Sequence, residues 1–100
     1  MKTPKTVRIG RLRYKIVKQR LMRTAGYIHY KDHTLSLVMH GAGGVAPYTK
    51  QDIKHTFWHE VVHGILYDMR QHKLNNSERF VDGVAIRIVD VLRQLPKESR

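Results

Sequence analysis

The chain has 100 residues, an apolar fraction of 41% and no cysteine. This size predicts one small domain spanning residues 1–100, and the lack of cysteine excludes disulfide bonds and thiolate metal ligands. We find no signal peptide and no apolar run long enough to cross a bilayer. We therefore expect a cytoplasmic protein that does not enter a membrane.

The formal net charge is +11, and the basic residues are concentrated near the N-terminus. Before Asp32 all charged side chains are basic: Lys2, Lys5, Arg8, Arg11, Arg13, Lys15, Lys18, Arg20, Arg23 and Lys31. A field of this sign attracts polyanions, so weak electrostatic association with nucleic acid is one interpretation. The other is a solvated sheet face that keeps the protein in solution. No recognition motif chooses between them.

Alternating apolar and polar residues in the first half of the chain predict two β-hairpins. Residues 7–9 and 12–16 form the first hairpin, and residues 27–30 and 34–39 form the second. Between the hairpins, residues 18–26 are compatible with either a short helix or an irregular connection.

The second half of the chain predicts two helices. Three glycines and a proline in residues 40–48 indicate a loop. Thr49 then caps a helix with Asp52 as the acidic partner of a capping box, and the helix ends at 67–70. After a connector, a second helix is predicted over 77–95, where a proline stops it. The expected fold is α+β, with a small antiparallel sheet packed on two C-terminal helices and an ordered core at about 6–95.

The first helix contains the sequence His59-Glu60-Val61-Val62-His63. Residues four apart on an α-helix lie one turn apart on the same face, so both imidazoles can bind one cation. Glu60 is rotated by roughly 100° from His59, which suits a base acting on a metal-bound water. Neutral imidazole is a good ligand for Zn²⁺. The alternative is a pair of hydrogen-bonded structural histidines. His55, one turn earlier, is expected to be a supporting or surface histidine.

A catalytic zinc ion needs a third protein ligand. The longer motif HExxHxxGxxH would require glycine at 66 and histidine at 69, but Leu66 and Met69 stand there. Downstream, Glu78 and Asp82 lie one turn apart on the second helix. We predict that Glu78 is the third ligand and that Asp82 accepts a hydrogen bond from a ligating imidazole. For Glu78 the alternative is a charge that only favours the helix dipole.

This combination, His59-Glu60-x-x-His63 followed by Glu78-x-x-x-Asp82, resembles the glutamate-ligand zinc peptidases, or gluzincins. The order of elements most resembles the short ImmA/IrrE-type metallopeptidases of phages and mobile elements, over roughly residues 7–95. Longer relatives carry Glu-x-x-Ala-Asn, whereas this chain has Val81-Asp82 in place of Ala-Asn. The resemblance implies a minimal zincin-like fold without inserted substrate-recognition elements.

The resemblance also implies a function: a zinc-dependent metallopeptidase that hydrolyses a peptide bond in a protein substrate. Glu60 would be the general base on a zinc-bound water. A DNA-bound repressor is one substrate that a basic peptidase would attract, and residues 34–39 are the expected sheet edge for an extended peptide. The oxyanion donor stays open among Tyr48, Tyr67, His40 and His72.

Two other functions remain open at this point. One is a basic nucleic-acid-binding or regulatory interaction module with a structural zinc ion, and the other is a zinc-peptidase fold that has lost activity. Activity that requires Glu60 would favour the peptidase, whereas binding to an arbitrary duplex that weakens steeply with salt would favour the nucleic-acid module.

Overall fold

The computed structural model describes residues 3–19, 25–39 and 49–97. Its elements in chain order are β1 (Thr6–Ile9), β2 (Leu12–Gln19), β3 (Gly26–His29), β4 (Thr34–Val38), α1 (Lys50–Asp68), α2 (His72–Asn75) and α3 (Glu78–Gln94). The predicted α+β class is confirmed. The predicted loop at 40–48 lies outside the described residues.

The sheet is mixed, so the prediction of an antiparallel sheet is wrong. Its strand order is β1-β2-β4-β3. The two predicted hairpins are present, since β1 pairs antiparallel with β2 and β3 pairs antiparallel with β4. The hairpins join through β2 and β4, which are parallel. Alternation along a strand indicates which face is buried, but it does not indicate which strands are neighbours.

The expected sheet edge at residues 34–39 is also wrong, because β4 lies between β2 and β3. Leu35, Leu37 and Val38 are almost fully buried, and Ser36 between them is buried too. Burial of both faces is typical of an inner strand. The terminal strand on this side of the sheet is β3, where the side chains of Tyr27 and His29 are exposed. The sequence does not reveal this difference, because Ser36 is polar and yet buried.

The central helix α1 begins at the predicted capping box. The Thr49 backbone N–H donates to Asp52 Oδ2 at 3.0 Å, and the Asp52 N–H donates to Thr49 Oγ1 at 3.0 Å. These bonds satisfy amide groups that the first turn of a helix leaves unpaired. The hydrogen bonds to Thr49 also lower the pKa of the Asp52 carboxyl, which stays negative beside the positive end of the helix dipole.

Helix α1 buries two faces against two different layers. Phe57 and Val61 pack on the sheet in a core that includes Tyr14, Leu35 and Leu37. The opposite face packs on α3 in a second core formed by Val62, Leu66, Val81 and Ala85. Each fully buried aliphatic side chain contributes about 1.5–3 kcal/mol of transfer free energy. These two cores fix α1 between the sheet and α3.

The connector between α1 and α3 contains one helical turn, α2, which the sequence did not predict. The Asn75 and Asn76 amides donate to the carbonyls of Gln71 and His72. After it, Ser77 caps α3 by accepting a hydrogen bond from the Phe80 amide at 3.2 Å. A single turn has no periodicity long enough to recognise in a sequence. Its consequence is that Asn75 is held close to α1.

Two helical glycines should respond differently to alanine. A Cβ atom at Gly83 would meet only Arg87 Nη1 at 3.4 Å, whereas one at Gly64 would lie 2.7 Å from the buried Ile9 Cδ1. We expect Gly83→Ala to raise the free energy of unfolding by about 0.5–1 kcal/mol through helix propensity. Gly64→Ala should be at least about 1 kcal/mol less stable than Gly83→Ala because of overpacking. Urea unfolding of both variants measures this, and equal stabilisation would contradict the packing of α1 on the sheet.

Candidate metal centre

The predicted ligands come together where α1 faces the N-terminal half of α3. His59 and His63 lie one turn apart on α1, and Glu78 lies in the first turn of α3. His59 Nε2 is 2.9 Å from Glu78 Oε2, and His63 Nε2 is 3.0 Å from Glu78 Oε1. One carboxylate therefore faces both imidazoles. The three residues form a group that could hold a metal ion.

The spacing of these atoms is compatible with a small divalent cation. Two ligand atoms bound at about 2.1 Å to a tetrahedral Zn²⁺ lie about 3.4 Å apart. The Glu78 oxygens are 2.9 and 3.0 Å from the two Nε2 atoms. An outward movement of roughly half an ångström would admit the ion. Glu78 can make this movement because its side chain is 71% exposed.

The His59 ring lies between two carboxylates. Its Nε2 faces Glu78, and its Nδ1 is 3.0 Å from Asp82 Oδ1. A carboxylate only accepts hydrogen bonds, and a neutral imidazole has a single N–H to donate. A neutral His59 can therefore donate its single N–H to Asp82 from Nδ1. Its Nε2 atom then has no proton for Glu78, and the two can interact favourably only through a cation bound between them. A hydrogen bond from Nδ1 to a carboxylate is typical of metal-binding histidines.

The His63 ring is oriented by two residues that the sequence analysis missed. Its Nδ1 is 2.6 Å from Asn75 Oδ1. The Asn75 Nδ2 group donates to the Tyr30 hydroxyl at 3.0 Å, which sets which end of the amide faces His63. Tyr30 in turn stacks on Tyr67, with ring centroids 4.0 Å apart. Together, these contacts direct His63 Nε2 toward Glu78. No sequence signal marks it, because Asn75 belongs to the unpredicted helix α2.

Glu60 is buried beside the two histidines. Only 7% of its surface is exposed. Burial is the largest cause that raises the pKa of its carboxyl, and the Glu78 charge adds to it, whereas His59 and His63 act in the opposite direction. A carboxyl group in such an environment accepts a proton more readily than one in water.

A cavity of about 830 Å³ opens next to these residues. Its lining includes Glu60, His63 and Glu78 together with β3, Tyr30, Lys31 and Tyr67. Gly26 of β3 allows α1 to approach, since a Cβ atom there would clash with Thr56 Cγ2 and lie 3.3 Å from Glu60 Cγ. The cavity is large enough for a segment of peptide.

The other candidates from the sequence occupy varied positions. His55 is not a free surface residue, because its Nε2 lies 2.9 Å from Asp82 Oδ1. Of the four candidate oxyanion donors, Tyr67 lines the cavity. His72 is exposed, and its ring contacts that of Tyr67. His40 and Tyr48 lie outside the described residues.

Comparisons with protein-family models, with curated proteins and with solved structures gave no match to this chain. The resemblance to ImmA/IrrE-type peptidases therefore stays a prediction from the motif. Within residues 3–19, 25–39 and 49–97, no helix is long and apolar enough to span a bilayer. The site itself is a cluster of histidines and carboxylates between α1 and α3 that could hold a metal ion.

The contact between His63 and Asn75 can be tested by metal affinity. We expect Asn75→Ala to weaken Zn²⁺ binding by about 10–100-fold, because His63 loses the acceptor that orients its ring. Asn75→Asp keeps an acceptor oxygen and should bind zinc like the unaltered protein. The neighbouring exposed Asn76, changed to alanine, is the control. Competition with a chromogenic chelator measures the affinities, and equal values for Asn75→Ala and Asn76→Ala would refute this role.

Proposed function

We propose that this protein is a zinc-dependent metallopeptidase that hydrolyses a peptide bond in a protein substrate. The observation that supports this most is the position of Glu60. Its buried carboxyl shares a cavity with His63 and Glu78, two of the three candidate ligands. Two histidines with a buried structural role would not require an acid in an adjacent cavity. A hydrolytic site requires such an acid next to the metal.

The donor set suits zinc more than the hard cations. Two imidazole nitrogens and a carboxylate oxygen are the ligands of several catalytic zinc sites, whereas Mg²⁺ and Ca²⁺ prefer oxygen alone. The exposure of Glu78 leaves one side of the site open to solvent. When bound there, Zn²⁺ would supply Lewis acidity toward water and toward a carbonyl oxygen.

Glu60 would carry both proton transfers of the reaction. Its carboxylate accepts a proton from the attacking water as the water oxygen bonds to the peptide carbonyl carbon. It then gives this proton to the amine nitrogen as the C–N bond breaks. Asp82 and Asn75 hold the Nδ1 atoms of His59 and His63, which would leave both Nε2 atoms free to bind a metal ion. These four residues would therefore hold and orient the metal site, and they take no part in the proton transfer.

Strand β3 is the segment against which an extended peptide would pair. It is a terminal strand of the sheet, and it lines the same cavity as Glu60 and His63. Adding a strand to a sheet edge holds a peptide through its backbone, with little dependence on its side chains. The carbonyl of a peptide bound in this way would face the candidate metal ligands.

Two substitutions separate the chemistry from metal binding. Glu60→Gln should retain zinc but lower hydrolysis by about 10²–10⁴-fold, the usual contribution of a general base. Glu78→Ala should lose the tightly bound zinc together with the activity. The exposed Asp90, changed to asparagine, is the control for a carboxyl outside the site. Cleavage of a quenched fluorescent peptide mixture of randomised sequence, with parallel zinc analysis, gives both readouts. A Glu60→Gln protein as active as the unaltered one would reject the proposal.

One observation favours nucleic-acid binding as a second candidate function. Arg8 of β1 lies directly opposite Arg13 of β2, and Lys15 projects from the same exposed face. None of the three forms an ion pair with an acidic residue in the described ranges. Like charges opposed in this way repel each other, and a polyanion would relieve the repulsion. Under this alternative, binding to an arbitrary duplex weakens steeply with salt and does not depend on Glu60.

A further inference from the structure

The arrangement of ligands at the candidate metal centre repeats one helical turn away. His59 and His63 of α1 face Glu78 of α3, and His55 and His59 face Asp82 in the same manner. The repeat arises because α1 and α3 are antiparallel, so that a step of four residues back along α1 matches a step of four forward along α3. His59 belongs to both groups through its two different nitrogens.

The distances in the second group are as short as those in the first. Asp82 Oδ1 lies 2.9 Å from His55 Nε2 and 3.0 Å from His59 Nδ1. In the first group, Glu78 lies 2.9 and 3.0 Å from its two imidazoles. The second group therefore offers two nitrogens and one oxygen around a single point, as the first group does.

His55 has a nitrogen without a hydrogen-bond partner. Its Nε2 atom is buried from solvent, and despite the short distance to Asp82 Oδ1 it makes no hydrogen bond, since none of the contacts at this atom has hydrogen-bond geometry. A buried polar atom in this condition destabilises the folded protein. A cation bound to Nε2 and to the Asp82 carboxylate would remove this cost.

One member of the second group, His55, lines a cleft that the first group does not share. A cleft of about 280 Å³ leads to His55 on the side away from Glu78. Its lining includes two more carboxylates, Asp52 and Asp90, and the guanidinium of Arg93. The two carboxylates outnumber the guanidinium, so the net charge of these three side chains favours the approach of a cation. An ion can therefore approach His55 without passing the cavity that contains Glu60.

We propose that His55, Asp82 and His59 form a second binding site for a divalent transition-metal ion. The ion is held by His55 Nε2 and an Asp82 oxygen, with His59 Nδ1 as third donor. Binding at Nδ1 releases the proton that this nitrogen otherwise donates to Asp82. Two imidazoles and one carboxylate select Zn²⁺, Ni²⁺ or Cu²⁺ over Mg²⁺ and Ca²⁺. The site is weaker than the first, because it takes Asp82 from its hydrogen bond with His59.

Binding stoichiometry of the full chain tests the second site without any use of hydrolysis. In a titration with Zn²⁺ followed by calorimetry and native mass spectrometry, the unaltered protein should bind two equivalents, the second at least tenfold more weakly. His55→Ala should bind one equivalent with the affinity of the tighter event. His55→Gln serves as a second variant of similar size. The exposed His72, changed to alanine, is the control and should leave two equivalents bound.

The outcomes separate this site from the first one. Glu78→Ala should remove the tighter event and leave the weaker one, which would show that the two events belong to different residues. A single equivalent bound by the unaltered protein would overturn the second site and leave the proposed peptidase unaffected. A second equivalent that persists in both His55 variants would also overturn it.

Discussion

The packing of α3 on α1 is the interaction on which the site depends. Val62 and Leu66 of α1 pack against Val81 and Ala85 of α3 in a buried core. His63 follows Val62 directly, and Asp82 follows Val81 directly, so this core sets the register between the imidazoles and the carboxylates. A shift of one residue in either helix would rotate its polar side chains by about 100° away from the other helix. The histidine and carboxylate cluster is therefore a consequence of aliphatic packing.

The site combines a buried acid with an exposed one, and their different environments suit the two acids to different roles. Glu60 lies on the side of α1 that faces the sheet and is almost fully buried. Glu78 lies at the start of α3, and its side chain is exposed. Burial disfavours a fixed charge and suits a group that gains and loses a proton. Exposure leaves a carboxylate room to move toward a cation. The proposed base and the proposed ligand therefore differ in how deeply the fold buries them.

The sequence predicted what depends on local geometry and missed what depends on distant neighbours. Helical spacing fixed the direction of His59 relative to His63 and of Glu78 relative to Asp82, and the capping residues fixed where α1 begins. The parallel pairing of β2 with β4 could not be predicted, because alternation gives faces and not neighbours. The contact between Tyr30 and Asn75 spans 45 positions, and each residue alone is ordinary. The sequence left two roles open for His55, support of the site or a surface position. Its contact with Asp82, which the sequence does not show, favours the first role.

The central claim is that two helices hold one metal ion between His59, His63 and Glu78. The most direct test is a crystal of the zinc-loaded protein, measured at the zinc absorption edge. We expect an anomalous peak about 2.0–2.2 Å from the Nε2 atoms of both histidines and from a Glu78 carboxylate oxygen. If the peak lies elsewhere, or if the loaded crystal has none and the Glu78 carboxylate remains in direct contact with both imidazoles, these three residues do not form a metal centre.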